Sequence, residues 1–193
     1  MELLLLVVAA YLIGSVPFAW LIGRFGYGLD LRQVGDCNVG GGNLMAVAGF
    51  LPGFTAIVLD VVKGFLATLL GLRVAGPQGG MVAGAAAIAG HVWPAWLRFD
   101  GGRGAAASLG VATGLFPWLM AVLLPVAILL VALTRRTVFV LAVVMPVIPF
   151  AAVAVGEPLG EAIFIVALFV CVGLKDAWDR LRAQAEERRA RVP

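Results

Sequence analysis

The sequence predicts an all-α, polytopic membrane protein with seven transmembrane helices, its N-terminus outside and its C-terminus in the cytoplasm. Three observations carry that expectation. Hydrophobic residues make up 62% of the 193 and charged residues 13%, with a mean hydropathy of +1.04. The apolar residues fall into stretches of roughly twenty, long enough to cross a bilayer as helices. Two glycine-rich, charge-bearing segments, near 30–46 and 98–104, interrupt them. Polar backbone is costly in hydrocarbon, so both must lie at the membrane edge or in a cavity closed by other helices.

The first span is expected over residues 2–22, ending before Gly23 and Arg24. Glu2 stands where a signal peptide would carry a basic leader, so this run reads as a retained helix rather than a cleaved signal. A second span follows over 54–72 and a third over 79–97. The fourth, squeezed between Gly104 and Phe116, is too short to cross fully unless its ends sit in water-filled recesses. Pro117, well tolerated at a helix start, opens the fifth, which ends near Thr134. The sixth covers 137–155 and the seventh 159–174, closing a membrane domain of residues 1–174. Residues 175–193 place Ala177, Trp178, Leu181 and Ala185 at helical spacing among charges, which predicts a basic amphipathic helix on the inner membrane surface.

Charge placement orients the set. One side receives Arg24, Arg32, Arg98, Arg103, Arg135, Arg136 and the basic tail; the other receives Arg73 with Glu2, Glu157 and Glu161. Cationic loops stay in the cytoplasm, so both glycine-rich loops are expected there. The net charge of +3 is too small and scattered for a nucleic-acid binder. Cys37 and Cys171 lie in a polar loop and an apolar segment, and no disulfide is expected between them. With one histidine and two distant cysteines there is no ordinary zinc or haem site, and no metal or cofactor is expected.

The two loops hold the candidate chemistry. DLRQVGDCNVGGGN at 30–43 offers Arg32, Asp36, Asn38, Gly40 and Asn43. Taken alone it is either a ligand loop or a tight re-entrant turn whose glycines serve helix contact. GHVWPAWLRFDGGRG at 90–104 carries His91, near the inner end of the third span. A lone histidine there either bonds a neighbouring helix or moves a proton. Arg103, flanked by Gly101, Gly102 and Gly104, matches phosphate in two-pronged fashion, the alternative being an arginine snorkelling to a headgroup. Asp60 and Lys63, three residues apart, share a helix face, where an ion pair shielded inside the bundle is the default and a part in binding a polar substrate the secondary reading. No GxSxG elbow or Walker loop occurs, and VWPAWLR after His91 lacks the aspartate of a histidine–aspartate acyltransferase pair.

YLIGSVPFAWLIGR, DLRQVGDCNVGGGN, DVVKG and GHVWPAWLRFDGGRGAAASLG, in this order and spacing, resemble the bacterial membrane family of acyl-phosphate:glycerol-3-phosphate acyltransferases. The resemblance covers roughly the first 115 residues, and the remainder by span layout alone. It implies a multi-pass inner-membrane enzyme, read here as a monomer among membrane lipids, with its active face cytoplasmic. Its substrates would be acyl phosphate and glycerol 3-phosphate, its product lysophosphatidic acid, with neither metal nor acyl-CoA. By the same resemblance Asn38, Asn43, His91 and Arg103 are the catalytic candidates. Ser15, Arg32, Asp36, Gly40, Asp60, Lys63, Gly101, Gly102, Arg103 and Gly104 are candidates for holding substrate or phosphate.

The chain also departs from the family pattern. Where the family resembles GSGNxGATNxxR, this chain reads GDCNVGGGNLMA, so Asp36 replaces a serine, Gly42 a threonine and Ala46 an arginine. Arg103 replaces a lysine, Val138 a serine, and Leu174 and Ala177 a histidine and an asparagine. A carboxylate at 36 repels a dianionic substrate unless an arginine neutralises it. Two further readings therefore stand beside the enzyme: a non-catalytic relative binding a phosphate or lipid ligand or a membrane partner, and a small transporter. The second would show inverted repeats, and no clear repeat is visible.

Overall fold

A computed structural model describes residues 1–190, without the side chains of 137, 138 and 186–190. Val138 thus lies outside the described side chains. The described residues form helices and connecting turns throughout.

Helix α1 (Glu2–Ser15) ends where Val16, ahead of Pro17, turns extended at φ −64 and ψ 113. The residue before a proline is pushed out of helical conformation. The chain resumes as α2 (Phe18–Leu21) and a π turn over Ile22–Gly26. The first span is therefore broken in its last third rather than continuous. The first loop holds a helix that periodicity did not announce, α3 (Gly41–Ala48), directly on its glycines.

The second and third expected spans are the arms of one hairpin, α4 (Phe50–Val92). It folds back at Ala75 and Gly76, where Gly76 takes φ 62 ahead of Pro77. The second arm stops at Val92, and a short 3-10 turn over Ala95–Leu97 leads to the second loop. Then come α5 (Ala105–Leu115), α6 (Pro117–Thr134), α7 (Thr137–Ala154) and α8 (Leu159–Ala190). α8 runs through Leu174 and Lys175 without a break.

Three helical stretches, 2–26, 50–97 and 117–134, are long and apolar enough to cross a membrane; α5 and residues 139–154 are shorter apolar helices. At 1.5 Å per residue the 11 residues of α5 reach only about half the hydrocarbon thickness.

Packing follows the small residues. A Cβ at Gly14 would meet the Ala87 backbone, and one at Gly64 the Ala107 backbone, so α1 and α5 lie against the two arms of α4 at backbone contact. Phe116, Ile148 and Ile165 are fully buried in the main core among α4 to α8. A smaller cluster of Ala19, Leu31, Leu44 and Ala56 pins the first loop onto α4. Large side chains such as Leu4, Trp118, Leu133 and Phe139 point outward, as expected of a surface solvated by lipid.

Candidate active site: a cavity where both glycine-rich loops meet α8

The first loop is fastened before it presents anything. The Asp30 carboxylate accepts from the Arg32 guanidinium at 2.7 and 2.9 Å, from the Arg32 amide at 3.1 Å and from Trp20 Nε1 at 3.2 Å. The hydrogen bond from Arg32 holds the Asp30 carboxyl well below the usual carboxylate range, and Asp30 in turn raises the Arg32 guanidinium. Arg32, a candidate phosphate ligand, is thus a brace of the loop and does not line the cavity.

Asn43 is likewise a tie. Its Nδ2 donates to the carbonyls of Leu31 (3.2 Å), Val34 (2.9 Å) and Asn38 (3.0 Å), while its Oδ1 accepts from the Asp36 amide at 3.2 Å. Buried and fully engaged, it shapes the loop from beneath. Asp36 and Asn38 are joined to each other as well. Asp36 Oδ1 accepts from the Asn38 amide at 3.2 Å, across Cys37 in left-handed conformation (φ 57). Asn38, Gly40, Gly41 and Gly42 line the cavity, and Asn38 Oδ1 is a buried acceptor with no hydrogen-bond partner. The first amides of α3 have no acceptor within their own helix.

On α4, Asp60, Lys63 and His91 are buried together. Lys63 Nζ lies 2.7 Å from Asp60 Oδ1 and donates to the Val16 carbonyl at 2.8 Å, the carbonyl exposed by the proline break. Its ammonium also stands 5.7 Å from the Phe18 ring centre. His91 Nδ1 is 3.6 Å from the same Asp60 oxygen. Asp60 and His91 face the cavity, whereas Lys63 stands behind them. The shielded ion pair expected of Asp60 and Lys63 is present. Ser15 is buried away from the cavity, its hydroxyl donating to Tyr11 O at 2.7 Å.

The second loop corrects one expectation. The amides of Gly101 and Gly102 were candidate phosphate donors, yet they donate to the carbonyls of Val92 and His91, both at 3.1 Å. A glycine loop next to a helix end can use its amides to finish that helix, and this one does. A side chain at Gly102 would strike the His91 imidazole, so the residue is small because it packs there. Arg103 and Gly104 do line the cavity, Gly104 at φ 91 opening α5.

Arg103 is not the open anion site that the motif suggests. Its Nη1 donates to Asp36 Oδ2 at 2.8 Å. Its Nε lies 3.0 Å from Asp176 Oδ1, off the N–H direction, and 3.8 Å from Asp179 Oδ2. Asp176 and Asp179 are residues that sequence reasoning missed. Their three-residue spacing is legible in the sequence of α8, but it matches no motif; the neighbouring Leu174 and Ala177 are both exposed. Lys175 pairs with Asp179 at 2.5 Å, and Arg180 with Asp176 at 2.9 Å, which raises the Arg180 guanidinium. Ala46, in place of an arginine, is exposed on α3 and leaves no charge there.

The cavity has a volume of about 470 Å³. Asn38, Asp60, His91, Arg103 and Asp176 form its polar part; Leu141, Met145, Pro149 and Phe150 of α7 with Phe169 and Val170 of α8 form its apolar part. No group of three or more His, Cys, Asp or Glu that could hold a metal ion occurs among the described residues.

The family model for glycerol-3-phosphate acyltransferase matches residues 4–184. A glycerol-3-phosphate acyltransferase of Bacillus cytotoxicus is 38% identical over 170 residues, 88% of this chain and 84% of that protein. Glycerol-3-phosphate acyltransferase 2 of Moorella thermoacetica is 44% identical over 114 residues, 59% of each chain. Among solved structures, the glycerol 3-phosphate form of PlsY, an integral membrane glycerol 3-phosphate acyltransferase, superposes with a TM-score of 0.82 at 26% identity, covering 96% of this chain and 94% of that one. With its glycine-rich loops and a matching fold over nearly its whole length, this chain belongs to the glycerol-3-phosphate acyltransferase family.

Proposed function

We propose that the chain transfers a fatty acyl group from acyl phosphate to the sn-1 hydroxyl of glycerol 3-phosphate, giving lysophosphatidic acid and inorganic phosphate. The observation that carries this reading is one cavity joining a polar part around Arg103 to an apolar wall of α7 and α8. A phosphate head with an acyl tail suits both at once.

Acyl phosphate is already activated, so the demands on the protein are alignment and charge stabilisation. The acceptor hydroxyl attacks the carbonyl carbon, the carbonyl–phosphate bond breaks, and the hydroxyl proton leaves with the phosphate. Arg103 neutralises phosphate charge, and Asn38 Oδ1, buried without a partner, accepts from a substrate hydroxyl. Asp60 orients the His91 imidazole at the cavity wall. Asn43, Arg32 and Lys63 act by holding those groups in place. We further read the chain as a monomer crossing the inner membrane seven times, with the cavity opening to the cytoplasm and membrane lipids around it.

The test is direct. Purified protein in detergent, given palmitoyl phosphate and glycerol 3-phosphate, is expected to form lysophosphatidic acid and release phosphate, with or without a metal chelator. No acyl transfer to glycerol 3-phosphate or to any of several other alcohols would remove the reading.

A further inference from the structure

Arg103 is the only arginine or lysine lining the cavity among the described residues, and it is already engaged. Asp36 comes to it from the first loop at 2.8 Å, Asp176 from α8 at 3.0 Å, with Asp179 behind at 3.8 Å. Nearby cations do not relieve this balance. Lys175 is bound to Asp179, Arg180 to Asp176, and Lys63 to Asp60 and the Val16 carbonyl. Three carboxylates and three cations therefore cancel around Arg103, Lys175 and Arg180. A phosphate approaching this guanidinium meets an anion already bonded to Nη1 and would share the cation with a like charge.

The two nearest carboxylates differ in freedom. Asp36 has a side chain 49% exposed and sits on a loop, while Asp176 is 30% exposed on a continuous helix and tied to Arg180. Asp36 can swing into water without disturbing a helix; Asp176 cannot move without α8. Asn43 holds the Asp36 backbone amide in either position, because that bond does not involve the carboxylate.

We propose that Asp36 is a specificity-determining residue: it competes with the acceptor's phosphate for Arg103 and so sets the glycerol 3-phosphate concentration at which the site fills. Asp176 is a positioning residue that keeps the guanidinium in place while Asp36 and phosphate exchange. The inference rests on glycerol 3-phosphate being the acceptor. It turns the replacement of a hydroxyl by a carboxylate into a device that weakens acceptor binding.

Asp36→Asn tests it, because asparagine keeps an oxygen for the Asn38 amide and removes the charge. Calorimetry in detergent with glycerol 3-phosphate should show binding at least tenfold tighter than in the unaltered protein. The KM for glycerol 3-phosphate should fall by a similar factor, while acyl transfer to uncharged glycerol shows no such gain. Asp176→Asn should instead raise KM. A folded Asp36→Asn protein whose binding is unchanged or weaker overturns the proposal, and a lowered KM in Asp176→Asn overturns the division of roles. Should Asp36→Asn fail to fold, Asp36→Ser serves the same comparison. Tighter binding without any acyl transfer in either protein would remove the acyltransferase reading and leave the competition standing. Acyl transfer with unmoved affinity would do the reverse.

Discussion

Arg103 bears two demands that pull against each other. It has to meet a phosphate, and it also joins the first loop to α8 through Asp36 and Asp176. Replacing it with alanine removes the only arginine or lysine on the cavity wall among the described residues and leaves carboxylates facing each other. Loss of one partner of a desolvated, hydrogen-bonded charge pair is worth about 2–5 kcal/mol, so Arg103→Ala should weaken glycerol 3-phosphate binding by that order. Lysine should rescue part of it, keeping the charge without the two-pronged geometry. Calorimetry decides this: a folded alanine variant that binds normally would reduce Arg103 to a tether. Asn43 makes a contrasting prediction. Asn43→Ala takes the side-chain partner from the Leu31 and Asn38 carbonyls and from the Asp36 amide, at about 1–3 kcal/mol for each group left buried and unsatisfied, while the Val34 carbonyl keeps the Cys37 amide. Thermal unfolding in detergent should shift downward, and Asn43→Asp should not restore it because it cannot donate. A variant as stable as the unaltered protein would mean that the loop is held elsewhere.

At the scale of elements, the consequential feature is the break between α1 and α2. Pro17 frees the Val16 carbonyl from a continuing helix, and the carbonyl becomes the second partner of the Lys63 ammonium. Through Lys63 the break reaches Asp60 and then His91 on the cavity wall. In Pro17→Ala the chain is free to run on as one helix and draw the carbonyl away. Since hydrogen bonds to charged groups contribute about 1.5–3 kcal/mol, acyl transfer should fall several-fold or more. Turnover with glycerol 3-phosphate measures it, and an unchanged rate would show that Lys63 does not need this acceptor. How much of this was legible varies with the element. The apolar runs of α4, α6 and α7 announced themselves, because lipid solvation demands unbroken hydrophobicity. α3 did not, since its helix begins on two glycines after a glycine N-cap, residues whose intrinsic preference is against helix, and is packed into place through Leu44. Arg103 and Asn38 were readable as cavity residues from motif chemistry, whereas the use of the Gly101 and Gly102 amides by α4, and the arrival of Asp176, are tertiary events without a local signature.

For the whole molecule, the decisive question is which way it faces. The site gathers Asp36 and Arg103 with Lys175 and Arg180 of α8, and Arg135, after α6, stacks 3.8 Å from the Phe50 ring beside the first loop. Basic residues that are distant in sequence thereby cluster with both glycine-rich loops. Arg73 lies apart from them, next to the Ala75–Gly76 turn that separates the arms of α4. Lysine and arginine near span ends resist transfer across the membrane, so the end holding the site should remain in the cytoplasm. Glycerol 3-phosphate, a charged solute that does not cross lipid unaided, would then reach the cavity from the cytoplasmic side. Glu2 and the α7–α8 turn with Glu157 and Glu161 belong to the opposite side on this argument. A reporter fused after Pro193 should be active only in the cytoplasm, and a tag ahead of Met1 should be accessible from outside in intact cells. An even number of crossings would put both reporters on one side, and an inverted protein would exchange them. The inverted result would separate the cavity from the cytoplasm, and the proposed reaction would then need another route for glycerol 3-phosphate to enter; both reporters on the cytoplasmic side would leave the cavity there and remove only the seven-span count.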